Sequence, residues 1–277
     1  MQGNGWAWDA SLYRGSATYY ARGRMPYPKA LAEAMTGELC LDGSGRLLDI
    51  GCGPGSLTLL LANVFEQVIG LDADADMIHE ANRLATKAAI PNARWVCMRA
   101  EDLPAGLGSF KVITFAQSFH WMDRSKVAAA VHDMLDTGGV CVHVHATTNR
   151  GIAGAVATPH PTPPHSAIDE LVRTYLGPTR RAGAGLLPNG TASGEDAIYR
   201  AAGFTRKRRL EVPGSSVTRV ADDVVAAVFS LSSSAPHLFG DRRAGFETEL
   251  RQLLHNASPS GMFSEHTREI AVDIWQR

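Results

Sequence analysis

An apolar run, Leu47-Leu48-Asp49-Ile50, breaks at the alternating glycines Gly51, Gly53 and Gly55 and resumes at helical spacing over Ser56–Ala62. The pattern predicts a strand, a tight turn and the start of a helix. Glycine suits such a turn because it adopts positive φ without penalty and lets a ligand approach the backbone. The first turn of the helix offers unpaired N–H groups and a partial positive charge. A dinucleotide site would space its glycines Gly-x-Gly-x-x-Gly. Here the spacing is Gly-x-Gly-x-Gly, and Asp49 stands two residues before the first glycine. A carboxylate there repels a pyrophosphate but suits a ligand carrying an ammonium and a sulfonium. A cationic cofactor is favoured over a dinucleotide, and a bare glycine turn is the bland alternative.

The Asp49-Ile50-Gly51-Cys52-Gly53-Pro54-Gly55 run resembles the signature of the class I S-adenosylmethionine-dependent methyltransferases. Later segments fall in that family's order. Strand two, Gln67–Leu71, ends in Asp72, about twenty positions after Gly51, where a carboxylate can accept both ribose hydroxyls of an adenosine. Asp74 or Asp76 caps the next helix, which carries Met77, Ile78, Ala81 and Leu84 inward and ends before Pro91. Strand three, Arg94–Arg99, leads into Ala100-Glu101-Asp102-Leu103-Pro104, which resembles the family's adenine loop. Arg99 stands where an Asp or Asn is usual, so Glu101 is the side chain expected to read the base, with an ordinary capping turn as the alternative. Strand four, Val112–Phe115, continues as Gln117-Ser118-Phe119-His120-Trp121-Met122-Asp123, similar to a Gln-x-x-His-Trp-Phe stretch of one large branch, the small-molecule, methyltransferase type 11-like one. Asp123 caps a helix, and Asp136-Thr137-Gly138-Gly139 turns the chain into strand five, Val140–Ala146.

The flanks are less regular. Residues 1–26, with Trp6, Trp8, Tyr13, Tyr19, Tyr20, Arg22 and Arg24, read as a mobile arm with one turn of helix. Tyr20, Arg24, Tyr27 and Pro28 resemble a Tyr…Arg-Pro-x-Tyr-Pro segment, with Met25 where proline is common. The resemblance implies that this arm folds over the cofactor, Arg24 or Tyr20 lying near its carboxylate; a merely packed arm is the alternative. Pro28–Leu39 reads as a helix with Leu31, Met35 and Leu39 on one stripe. Asn149–Pro164 cannot be one continuous element. Ser166–Leu176 is helical in pattern, and core periodicity returns with a helix over Ser193–Ala202 and strand six, Thr205–Pro213. Helices near Val220–Leu231 and Arg242–Leu254 precede strand seven, Thr267–Trp275.

The expected fold is therefore α/β: a Rossmann-like, seven-stranded, mostly parallel sheet with strand seven antiparallel, helices on both faces and a helical cap. The expected units are the arm (1–26), a core (27–148, 191–213 and 265–277) and two insertions (149–190 and 214–264) that form the cap. Ligands of such sheets lie beyond the carboxyl ends of the strands, so arm and insertions can meet over the cofactor and choose the substrate. Strand six becomes an edge, which gives Arg206-Lys207-Arg208-Arg209 a plain role as edge-guarding charges; contact with an RNA backbone is the sharper alternative.

The resemblance implies S-adenosyl-L-methionine as cofactor, with S-adenosyl-L-homocysteine as product. It would be held by Tyr20, Arg24, Asp49, Gly51, Cys52, Gly53, Asp72, Ala73, Met77, Ala100, Glu101 and Gln117. The reaction would move a methyl group to oxygen, nitrogen or carbon of a small molecule. Proximity alone can suffice; if a proton must leave the acceptor, His120 is the candidate base. Its alternative is a structural histidine. Trp121 and His145 would line the substrate pocket. His143, His145, His160 and His165 make a metal imaginable, but the carboxylates expected beside one are missing, so no metal is expected. A net charge of −1 gives no general pull towards nucleic acid or membrane. No Cys-x-x-Cys pair, no signal segment and no run of 18 apolar residues occurs, and a cytoplasmic protein is expected. The alternatives are the same fold methylating RNA or protein, a non-catalytic cofactor-binding relative, and a nicotinamide oxidoreductase. The motifs name neither the acceptor nor an oligomeric state.

Overall fold

The computed structural model describes residues 9–152, 157–183, 185–186 and 194–277. Trp6, Trp8 and Ser193 lie outside them. The sequence period switches from 3.6 to 2 and back through the first half of the chain, and the elements follow that alternation. They are α1 (Ala17–Gly23), α2 (Lys29–Leu39), β1 (Arg46–Ile50), α3 (Ser56–Leu61), β2 (Gln67–Asp72), α4 (Ala75–Lys87), β3 (Ala93–Cys97), β4 (Phe110–Ala116), α5 (Arg124–Asp133) and β5 (Leu135–His145). The second half adds α6 (His165–Leu176), a short pair β6 (Arg181–Ala182) and β7 (Gly185–Leu186), α7 (Glu195–Ala201), β8 (Thr205–Val212), β9 (Ser216–Val220), α8 (Ala221–Phe229), α9 (Arg243–Ala257), β10 (Met262–His266) and β11 (Ile270–Gln276).

Seven strands form one sheet in the order β3-β2-β1-β4-β5-β11-β8. β11 runs antiparallel to both neighbours, and the other pairs are parallel. The expected turn at Asp136–Gly139 is instead a bulge within β5. Leu135 pairs with Phe110 and Val140 with Val112, and the surplus residues swell out between them.

Strand alternation sends each face to its own helices. On one face Leu48, Ile50, Ile113 and Phe115 pack with Val127 and Val131 of α5 and Tyr199 of α7. On the other, Leu47, Val112 and Val142 pack with Leu31 and Met35 of α2 and Leu57 and Leu61 of α3. Asp74 caps α4 by accepting from the backbone N–H groups of Asp76 and Met77. Met77 and Ala81 are buried as expected, whereas Ile78 and Leu84 are only half-buried and Ala85 is buried instead. β8 is an edge strand, and its arginines meet carboxylates: Arg206 with Asp196, Arg208 with Glu38, Arg209 with Asp273 and Glu211.

The cap has a core of its own, in which Ile168 of α6, Val224 and Phe229 of α8, Phe246 and Leu250 of α9 and Phe263 of β10 pack together with Tyr19 of the arm. It is not purely helical. β9 and β10 form an antiparallel ribbon that the sequence pattern did not show, and β10 carries the cap to His266. At its centre Arg219 and Glu265, 5% and 1% exposed, pair at 2.9 Å. Glu265 also accepts from the Gly151 N–H (2.7 Å) and from His165 (2.8 Å), so one carboxylate joins both insertions. Burial works to raise its pKa, but His165, Gly151 and Arg219 together leave it lowered.

Of the arm, residues 9–26 are described, and seven of them form α1. α1 is docked on α8 so closely that a Cβ on Gly23 would lie 2.2 Å from the Ala226 carbonyl carbon. The Ser16 hydroxyl donates to the Phe229 carbonyl, Arg219 donates to the Gly23 carbonyl, and the Met25 N–H donates to Thr148 on the core side. Among the described residues no helix is long and apolar enough to cross a membrane.

Candidate active site

A cleft of about 670 Å³ lies beyond the carboxyl ends of β1, β2 and β4, between the glycine turn and the arm. Its floor begins where the Gly51 and Cys52 N–H groups both donate to the Leu71 carbonyl, tying the turn to the end of β2. Gly53 has a φ of 54° and an open side: a Cβ placed there would meet nothing within 4 Å. Asp72 accepts from the Gly53 N–H (2.8 Å) on one oxygen and from the Asp74 N–H (2.9 Å) on the other. Burial, with Asp74 and Asp49 adding repulsion against those two hydrogen bonds, pushes its pKa up to about 6. Each oxygen keeps a further lone pair for a hydroxyl donor.

Ala73, Met77, Ala100 and Glu101 line the same cleft. Glu101 accepts from the Asp123 N–H at 2.9 Å and from Arg99 at 3.3 Å, which fixes its carboxylate on the loop. Above the cleft stand Tyr13 and Tyr20 from the arm and Trp121 after β4, with Tyr13 packed edge-on against both other rings at 6.2 Å. Tyr13, Arg99, Ser118 and Met122 complete the lining and were not expected there. The clustered arm aromatics were a usable signal for Tyr13, as were the place of Arg99 before Ala100 and of Ser118 and Met122 within the Gln117–Asp123 stretch.

A smaller lobe of about 360 Å³ adjoins the cleft across Gly51 and Tyr20. Arg24, Asp49 and Cys52 line it. Asp49 is 1% exposed, and its two oxygens accept from the Thr58 (2.6 Å) and Thr114 (2.8 Å) hydroxyls. Burial raises its pKa and the two hydroxyls oppose the rise. Arg24 lies over the Tyr20 ring, 4.4 Å from its centroid, and donates to the Ser230 hydroxyl (2.8 Å) and carbonyl (3.1 Å), so it fastens the arm to the cap as well as facing the lobe. All twelve residues expected to hold a cofactor thus border the cleft or its lobe.

His120 and His145 stand elsewhere. They line a separate, open and polar pocket of about 880 Å³ with His143, Glu195, Arg209 and Glu269. Gln117 borders both this pocket and the cleft; its φ of 59° is rare for a residue with a side chain. His120 and Trp121 are neighbours at 4.8 Å, yet Trp121 faces the cleft and His120 the polar pocket. Burial, aided by Arg124, pulls the His120 pKa down to about 4, so its imidazole is neutral at pH 7. His143 is likewise driven down to about 3, mainly by burial. It bonds the Tyr199 hydroxyl (3.1 Å) and stacks on His145 at 4.3 Å. His145 Nε2 meets the buried Asp273 carboxylate at 3.0 Å, and Arg209 holds the same carboxylate at 3.1 Å. His165 is bound to Glu265 in the cap. Among the described residues no three His, Cys, Asp or Glu side chains gather to hold a metal ion.

Comparison with known proteins agrees with this architecture. Residues 47–139 match a family model described as a methyltransferase domain. An uncharacterized methyltransferase of Synechocystis is 32% identical over 116 residues, which cover 40% of this chain and 52% of the relative. One from Mycobacterium bovis is 31% identical over 132 residues, covering 47% and 51%. The chain thus spans about half the length of these relatives. Among solved structures, the [4+2]-cyclase SpnF superposes with a TM-score of 0.54 at 17% identity, over 96% of this chain and 93% of that one, a likeness of fold alone.

Proposed function

We propose, from the premise that this chain is a class I methyltransferase by family and fold, that it uses S-adenosylmethionine to methylate a small molecule. The observation that carries the reading is the juxtaposition of an open Gly53 turn, a half-buried Asp72 carboxylate with spare lone pairs, and a contiguous lobe walled by Asp49 and Arg24. These groups fit an adenosyl sulfonium. Asp72 suits the ribose hydroxyls, Met77, Ala100 and Glu101 the base, and Tyr20, Arg24, Asp49 and Gln117 the amino-acid end. When bound, that cofactor supplies an electrophilic methyl group on sulfur.

The chain's own task is alignment, exclusion of water and, for a hydroxyl or ammonium acceptor, removal of a proton. Tyr13, Tyr20 and Trp121 line the cleft and would help to exclude water from it. The polar pocket across Gln117 suits the acceptor, with His145 on its wall. His120 is held neutral there and so keeps a lone pair for the acceptor's proton. The edge arginines that could have met a nucleic acid are engaged by carboxylates, which favours a small acceptor. All four cysteines are free thiols, which suits a reducing cytoplasm.

Calorimetric titration with S-adenosylhomocysteine and with NAD tests the cofactor. Binding of the former and none of the latter is expected; tight NAD binding without adenosylhomocysteine would overturn the reading.

A further inference from the structure

The cap holds a second cavity, a groove of about 1220 Å³. It shares no lining residue with the cleft, its lobe or the polar pocket. Its origin is a packing arrangement: α6 and α8 each pack on α9, leaving a channel between them. One wall is the α6 stripe Ile168, Val172 and Leu176, and the other is Val224 and Val228 of α8 with Leu231 just beyond. These positions recur at three- and four-residue spacing, so each helix lends the groove an apolar stripe, with Ile168, Val224 and Val228 as its buried floor and Val172, Leu176 and Leu231 as its half-buried lips.

The rim is polar and its charges are unevenly matched. Asp169, the acidic side chain of the rim, is held by Arg150 through two bonds of 3.0 Å, one to each oxygen. Arg173 is paired with Glu170, and Arg219 with Glu265. Arg180 has no acidic partner among the described residues, and the side chains of Asn149, Thr179 and Ser233 beside it on the rim make no hydrogen bond among them. Each carboxylate lining the groove is thus already paired, while one guanidinium and several neutral polar groups have no hydrogen-bond partner among the described residues. An apolar channel with surplus positive charge at its mouth complements one kind of molecule, an apolar chain ending in an anion.

We propose that this groove is a binding site for an amphipathic organic anion, a medium-chain carboxylate, whose chain lies between α6 and α8 and whose carboxylate meets Arg180. The site stands independently of the methyl-transfer reading. A cation of the same chain length is disfavoured because no carboxylate is left to receive it.

The test is calorimetric titration of the full chain with dodecanoate below its micelle-forming concentration. Dodecyltrimethylammonium serves as the matched cation, and adenosylhomocysteine is titrated in parallel. Saturable one-to-one binding of dodecanoate is expected, at least 10-fold tighter than the cation. Val172→Trp, which fills the channel from a half-buried wall position, should abolish it. Arg180→Glu should weaken it at least 10-fold, with thermal melting by circular dichroism showing both variants folded. No dodecanoate binding by the wild-type chain, equal binding of the cation, or unchanged binding in Arg180→Glu would overturn the proposal. Dodecanoate binding without adenosylhomocysteine binding would leave the groove standing and remove the methyltransferase reading instead.

Discussion

The two halves of the molecule solve the problem of a buried charge in opposite ways. In the core, Asp72 is held by backbone N–H groups at the end of a strand, with no ion pair among the described residues, and its pKa rises to about 6. In the cap, Glu265 is less exposed yet its pKa is lowered, because His165, the Gly151 N–H and Arg219 surround it. The core carboxylate is left wanting a partner, and the cap carboxylate is complete. A site that must receive a ligand keeps unmet capacity, whereas a joint between segments uses all of it.

The sharpest way to break this contrast is Glu265→Ala. Arg219 would keep its charge in a dry setting with only carbonyl partners, and a loss of about 3–5 kcal/mol in urea unfolding is expected. A loss below about 1 kcal/mol would mean that the cap joint is hydrated and the contrast false. His120→Ala comes next: with an acceptor in hand, the rate should fall about 100-fold while cofactor binding is retained. A nearly normal rate would leave His120 a structural residue.

Asp72→Ala should weaken adenosylhomocysteine binding by about 1–3 kcal/mol, the range for hydrogen bonds to a charged acceptor. The same carboxylate sets a pH window. Its folded pKa of about 6 lies above the unfolded carboxylate value of about 3.9, so the folded, ligand-free chain binds the extra proton and loses stability as pH rises between them. Affinity for a ligand that donates hydroxyls to Asp72 should run the other way, rising through pH 6 and flat above about 7; a flat profile in the wild-type chain would remove Asp72 from the site. Arg22→Ala is the smallest change. Its pairs with Asp222 and Asp223 are half exposed, and a cost of about 0.2–1 kcal/mol is expected in the same unfolding assay. A larger cost would mean that the arm is fastened by charge rather than by the Gly23–Ala226 contact.

The contrast also explains what could be read from the chain. β1 covers its apolar run with one residue before it, and Asp72 lies at the strand end its spacing implied, because short-range patterns and a tight turn determine both. The sheet order with β11 inserted antiparallel follows the resemblance. Long-range pairings left no such trace. Arg219 and Glu265 stand on two strands of five residues that only their mutual pairing makes into a ribbon. Asp273 reaches His145 because the antiparallel register of β11 on β5 sets Ala271 opposite it and turns both side chains to one face. His120 was expected beside Trp121 in one pocket; a single 3-10 turn over Phe119–Trp121 directs the two rings to different cavities.

The docking of α1 has a kinetic consequence. Tyr13 and Tyr20 line the cleft, and the helix that carries Tyr20 is anchored through Ser16, Gly23 and Arg24 to a cap that is itself closed by a buried ion pair. Under the proposed function, a ligand seated in the cleft would lie against Tyr20, so undocking of α1 would loosen that wall. Exchange of whatever the cleft holds would then depend on how often α1 leaves α8.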